Sequence, residues 1–173
     1  MSEHAYDDAA WFAETGEQLT AALVDPLAVE DALLAVRERA SEVLPGGRPQ
    51  AEFTSRRIGD IGILTVHGDF GNYTAMRARE LFVELTGAGC AYLVVDLRQG
   101  TTIDDTGMGV MIGSLKRARN NGGTLMVVST DARVLKQLRV TGIDRVLKPL
   151  GSLAAAVVAI EEARSASAEE PQI

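Results

Sequence analysis

The chain has 173 residues, 46% hydrophobic but only 5% aromatic, with a formal net charge of −7 and a single cysteine. That supports one core plus an appendage, built mainly from Val, Ile, Leu, Ala and Met. The acidic balance argues against nucleic acid as a ligand, no apolar run is long enough for a membrane span, and one thiol, Cys90, excludes an internal disulfide.

The charge is unevenly placed. Residues 1–50 carry ten acids against Arg37, Arg39 and Arg48, whereas residues 51–173 carry 14 acids and 14 bases. The whole excess therefore belongs to an N-terminal extension. Met1-Ser2-Glu3-His4 lacks the basic-then-apolar opening of a signal peptide, and with the reduced thiol this predicts a cytoplasmic protein.

The extension, residues 1–50, reads as two helices and a linker. The first spans about Asp7 to Val24, with Phe12, Leu19 and Leu23 as sparse apolar positions. The second spans about Pro26 to Leu44, capped by Asp25, with Val29, Leu33, Val36, Ala40, Val43 and Leu44 as its apolar stripe. Pro45-Gly46-Gly47-Arg48-Pro49 breaks the pattern. The two helices can pair with each other, dock on the next domain or form a homodimer, and the sequence leaves all three open.

A second pattern occupies residues 51–164. Phe53–Ile58 and Ile61–His67 predict strands joined by a Gly59-Asp60 hairpin turn. A helix from Asn72 or Thr74 to Gly87 turns Ala78, Leu81, Phe82 and Leu85 inward. Ala91–Leu97, apolar on both faces, predicts a central parallel strand. After a Thr101–Gly107 loop comes a helix from Thr106 to Asn121 that buries Met108, Met111, Ile112 and Leu115. Thr124–Ser129 is the next strand, Asp131 caps a helix to about Thr141, Arg145–Lys148 is a short strand candidate, and Ser152 caps a last helix to Arg164. Residues 165–173 are expected to form a disordered tail. Alternating strands and helices after a hairpin imply an α/β fold, a mixed sheet flanked by helices with the helical extension at its N-terminus. Its partner surface is expected at the carboxyl ends of the parallel strands.

The densest phrase is Ile103-Asp104-Asp105-Thr106-Gly107-Met108-Gly109, where a strand opens into a helix. A helix N-terminus offers free N–H groups and the positive end of the dipole, so Asp104, Asp105 and Thr106 can simply cap it. A hydroxyl there can also be phosphorylated and read as a switch. Asp96-Leu97, the phrase above, Leu115-Lys116-Arg117-Ala118-Arg119-Asn120-Asn121-Gly122-Gly123 and Leu138–Val146 occur in order. Together they resemble the STAS domain of bacterial anti-sigma factor antagonists over about residues 52–160.

The resemblance implies a regulator, active in a stress response or a similar transcriptional programme. Dephosphorylated, it would bind an anti-sigma factor serine/threonine kinase, and phosphorylation would release it. Two positions depart from the family pattern. The phosphoacceptor serine aligns with Asp105, which leaves three readings: Thr106 takes over as the acceptor, Asp105 fixes a permanently altered state that still binds a partner, or the loop is structural. The acidic residue of a Gly-Glu-Leu-Asp turn is replaced by Gly71 in Gly68-Asp69-Phe70-Gly71. Asp104, Asp105 and Gly107 are expected to shape the switch loop, with Asn72, Tyr73, Thr74, Met108 and Gly109 as partner contacts. The alternative is a non-phosphorylated scaffold or sensor module whose N-terminal helices receive a signal or mediate assembly.

Enzyme chemistry finds little support. His4 and His67 stand far apart without a Cys/His cluster, so no metal or other cofactor is expected. Thr106 has no histidine nearby in sequence to act as a base, and Gly107-Met108-Gly109 lacks the lysine of a phosphate-gripping loop. Asp96, at a strand end, is expected to order a loop, and His67 to be structural.

Overall fold

The computed structural model describes residues 24–35 and 52–169. Helix α1 (residues 24–35) is followed by β1 (Glu52–Ile58), β2 (Ile61–Phe70), α2 (Ala75–Gly87), β3 (Tyr92–Ile103), α3 (Asp105–Asn120) and β4 (Thr124–Val128). Then come α4 (Ala132–Val140), a 3₁₀ turn (Ile143–Arg145), β5 (Pro149–Leu150) and α5 (Leu153–Glu169). Residues 7–23 of the predicted first helix, residues 36–44 of the predicted second and the predicted linker at 45–49 lie outside the described residues.

The strands stand in chain order, with β1 antiparallel to β2 and each later pair parallel. Right-handed crossovers between adjacent parallel strands put the connecting helices on one face, and the packing follows that rule. Leu64, Val66, Leu93, Val95, Leu125 and Val127 form one core with α2, α3 and α4. The alternate residues Ile61, Ile63, Tyr92, Val94 and Val128 form a second core with α5 and Leu27 of α1. The interior strands β2, β3 and β4 each serve two cores, which is why the first half of β3 reads as a continuous apolar run.

The hairpin forms where the sequence predicts it, with Gly59 at φ +61 and Ile58 paired to Ile61. Its Asp60 receives Arg164 of α5 at 2.7 Å, and that guanidinium lies 4.4 Å from the centre of the Tyr92 ring. This ties the edge hairpin to α5 by charge and by cation–π attraction. Cys90 is buried, and burial pushes its thiol above the ordinary range, as suits a space-filling residue.

Four expectations change. β3 runs on to Ile103 rather than stopping at Leu97, and β2 runs to Phe70. The two continue to pair, Asp69 opposite Thr102 and Phe70 opposite Ile103, so the expected Thr101–Gly107 loop shrinks to Asp104. Arg145–Lys148 is not a strand; the 3₁₀ turn ends on Arg145 and Pro149–Leu150 supplies the edge pairing with β4. α5 continues to Glu169, so the tail expected to be disordered is helical over residues 165–169.

The fourth change concerns α1. Within it Val29 and Leu33 are 60% and 59% exposed, while Leu27 is 2% exposed against the sheet. Charge sets this orientation. Glu30 meets Arg56 of β1 at 2.7 Å, and Asp31 pairs with Arg98 of β3. Asp25 and Pro26 lie inside the helix rather than at its cap.

The hydrogen bond from Arg56 holds the Glu30 carboxyl below the usual carboxylate range. A carboxyl depressed in the folded state contributes stability above its unfolded value of about 4.3 and loses it as pH falls through the lowered value. The pair is half exposed, so solvent screening limits it to roughly 0.2–1 kcal/mol. Hydrogen exchange of residues 24–35 is therefore expected to quicken modestly, relative to the sheet, between pH 5 and strongly acidic conditions, and Glu30→Gln is expected to flatten that component.

Candidate partner-binding site at the sheet rim

β2 and β3 end side by side, and the starts of α2 and α3 fold over their ends. Asp104, with extended backbone (φ −101, ψ −179), is the N-cap of α3. Its Oδ1 accepts from the N–H groups of Thr106 at 2.9 Å and Gly107 at 3.0 Å. Its Oδ2 accepts from the Asn72 N–H at 3.0 Å, across the rim, and its own N–H donates to the Phe70 carbonyl at 3.1 Å. One carboxylate thus caps a helix and staples the neighbouring loop to it.

Thr106 crosses the same gap, its hydroxyl donating to Asn72 Oδ1 at 2.7 Å. Thr74 stands at the N-cap position of α2 without capping it. Its hydroxyl instead donates to the Asp69 carbonyl at 2.9 Å and accepts from the Gly71 N–H at 3.0 Å. Thr102 donates to Asp69 Oδ1 at 2.9 Å. The rim is a continuous polar network in which Asp104, Asp105 and Thr106 are all exposed.

Two glycines make this closeness possible. A Cβ on Gly71 would lie 2.3 Å from Asp104 Oδ2, and one on Gly107 would lie 2.4 Å from the Phe70 carbonyl oxygen. The departure at Gly71 thereby gains a physical reason: any side chain there would collide with the stapling carboxylate.

The remaining predicted residues are placed unequally. Asn72, Tyr73 and Gly109 are exposed, and Tyr73 is fully so. Thr74 is half-buried in the loop network. Met108, expected as a partner contact, is 4% exposed and belongs mainly to the core. It forms the floor of a groove of about 320 Å³ between α3 and α4, lined also by Ile103, Asp104, Asp105, Lys136, Gln137, Val140 and Thr141.

Sequence reasoning missed the α4 side of that groove. Its signal was Val140, an apolar residue 76% exposed and out of step with the buried Val134 and Leu138. Gln137 of the same helix accepts from the Ile103 N–H at 3.4 Å.

Asp96 and His67 lie at a different groove, of about 440 Å³, between the sheet and α1. Asp96 is 3% exposed and accepts from the Arg98 backbone N–H at 3.1 Å and from its guanidinium at 2.8 and 2.9 Å. Burial works hardest on Arg98 and disfavours its charge, but the Asp96 and Asp31 carboxylates outweigh that and raise it above the ordinary range. Asp96 therefore orders the backbone, as expected, and does not join Asp104 as a carboxylate pair. Among the described residues, no cluster of His, Cys, Asp and Glu is arranged to hold a metal ion, and no helix is long and apolar enough to cross a membrane.

The rim offers an exposed hydroxyl on a helix N-terminus, a fully exposed tyrosine and an apolar groove edged by carboxylates.

The model of the STAS domain matches residues 52–156. Anti-sigma-B factor antagonist of Bacillus subtilis (strain 168) is 29% identical over 84 residues, spanning 49% of this chain and 76% of its own. Among solved structures, an anti-sigma factor antagonist from Mycobacterium paratuberculosis superposes with a TM-score of 0.59 at 15% identity, covering 65% of this chain and 95% of that one. The anti-sigma factor antagonist SpoIIAA in its unphosphorylated form gives 0.52 at 12% identity, covering 70% and 100%. At such identities these likenesses establish the fold. With the domain match, the strand order and the rim phrase in agreement, the chain belongs to the STAS domain family.

Proposed function

We propose that this protein is a cytoplasmic anti-sigma factor antagonist, a non-enzymatic regulator whose rim docks an anti-sigma factor serine/threonine kinase. Thr106 is the phosphate acceptor in this reading, Asp105 a standing charge beside it, and Asp104 and Gly107 hold the loop. Asn72, Tyr73, Thr74, Met108 and Gly109 form the contact surface. The observation that carries the reading is the Thr106–Asn72 hydrogen bond, which joins the two halves of the rim through the one hydroxyl in the first turn of α3.

Phosphorylation converts that donor into a group of about −1.5 to −2 charge with three acceptor oxygens. It cannot then donate to Asn72 Oδ1, and it stands beside the carboxylates of Asp104 and Asp105. Repulsion opposes the closed rim even though the helix dipole favours the added charge. The rim would open and the partner surface with it.

Phosphate transfer from the cognate kinase is the test. Thr106→Ala is expected to abolish labelling with the fold intact, and labelling that persisted would place the acceptor elsewhere. Asp105→Ser is expected to raise labelling by restoring the family's acceptor. A second reading, a scaffold or sensor module, is favoured by the docking of α1 through Leu27 and Asp31. Stable assembly without any phosphate transfer would support it.

A further inference from the structure

We infer that α1 is a regulatory strap whose Asp31 clamps the first bulge of β3, the strand that leads to the rim. Thr65 of β2 pairs with Asp96, but the next partners are His67 and Gln99, so β3 carries an extra residue at Leu97–Arg98; a second follows at Thr101, between the Gly68–Gly100 and Asp69–Thr102 pairs. Bulges bend and re-aim a strand, and everything β3 contributes to the rim, ending at Ile103, lies beyond the first of them. The bulge is fastened by Asp96, which accepts from both the backbone and the side chain of Arg98.

Arg98 is in turn held by Asp31, and the Arg98 side chain is only 6% exposed. The Asp31 carboxylate also accepts from the N–H groups of Leu153 at 3.1 Å and Ala154 at 3.3 Å, the first turn of α5. A single side chain of α1 therefore joins the N-terminal helix, the bulge and α5.

Among the described residues few other contacts hold α1. Leu27 is its buried apolar anchor, Val24 packs partly buried against the same core, Glu30–Arg56 is a half-exposed pair, and Val29 and Leu33 are exposed. A helix held by so small an apolar contact and one buried ion pair detaches as a unit. When it lifts, Arg98 keeps Asp96 but loses its second carboxylate, and α5 loses the acceptor for its first N–H groups. The strand leading to Asp104 is then freed at its bend. A signal received by the N-terminal residues thus reaches the rim through Asp31, whichever protein docks there.

The test is hydrogen exchange on the full chain carrying Asp31→Ala or, separately, Leu27→Ala. Asp31→Ala is expected to quicken exchange about fivefold, the effect of losing a helix cap, in three places: residues 24–35, the first turn of α5, and residues 97–104 of β3. Leu27→Ala removes the anchor but leaves the clamp chemistry intact, and is expected to move the same three segments together. Loosening of 24–35 and α5 with 97–104 unchanged would overturn the inference, because Asp31 would then be a local contact alone. Uniform acceleration that included the interior strand β4 would also overturn it, as plain destabilisation.

Discussion

Alanine at position 107 is expected to destabilise the protein by about 1–3 kcal/mol and to weaken whatever docks at the rim. Two effects of opposite sign compete. Alanine is the better helix former, by up to about 1 kcal/mol over glycine. Its Cβ, however, would stand 2.4 Å from the Phe70 carbonyl oxygen and 3.2 Å from Ile103 Cγ1. The first of these is backbone at the end of a central strand, so relief requires α3 to move off the sheet rather than a side chain to rotate. The steric cost therefore wins. Gly113 supplies the control within the same helix: a Cβ there meets nothing within 4 Å. Gly113→Ala is expected to stabilise by about 0.4–1 kcal/mol. Thermal unfolding checks both, at roughly 2–4 °C per kcal/mol for a chain of this size, and equal shifts of the same sign would refute the steric argument.

Asp104→Ala is expected to cost about 1–2 kcal/mol through the lost cap and to free the Asn72 loop from α3. Both carboxylate oxygens are in use, one on the helix and one on Asn72. Asparagine is as good a cap as aspartate, yet its amide has one acceptor where two are needed, so Asp104→Asn keeps the helix start and loses the staple. The two variants separate the roles. Thermal stability should fall clearly for alanine and little for asparagine, while exchange of the Asn72 amide should quicken in both. An Asn72 amide that stayed protected in Asp104→Asn would show that the Thr106–Asn72 bond suffices to hold the rim.

How much of this was legible in the chain depended on how far each contact reaches. The capping of α3 by Asp104 is local: acceptor and donors lie two and three residues apart, and the phrase announces it. The hairpin at Gly59-Asp60 and the helix starting after Asp131 are local in the same way. The run Arg98-Gln99-Gly100-Thr101-Thr102 looked like a loop because it is polar throughout and centred on a glycine, whatever the strand preference of its two threonines. It is strand because β2 extends alongside and supplies its hydrogen-bond partners. The glycine at position 71 was visible only as a departure from a pattern; its reason lies in a carboxylate 33 positions further on, at Asp104. Which face of α1 meets the domain was open in the sequence, because its partners Arg56 and Arg98 lie 26 and 67 positions away; those ion pairs and the buried Leu27 hold it with Val29 and Leu33 exposed.

Hydrophobic alternation, turn glycines and capping residues, each acting within a few positions along the chain, determined the elements, their order, the two-faced sheet and the place of the rim. Tertiary structure alone decided that the Asp104 carboxylate and the Thr106 hydroxyl both close on Asn72, that α4 walls the groove beside them, and that α1 is clamped onto β3. Those contacts join residues tens of positions apart, 34 for Thr106 and Asn72 and 67 for Arg98 and Asp31. Their geometry exists only after the strands have paired and the crossovers have stacked the helices.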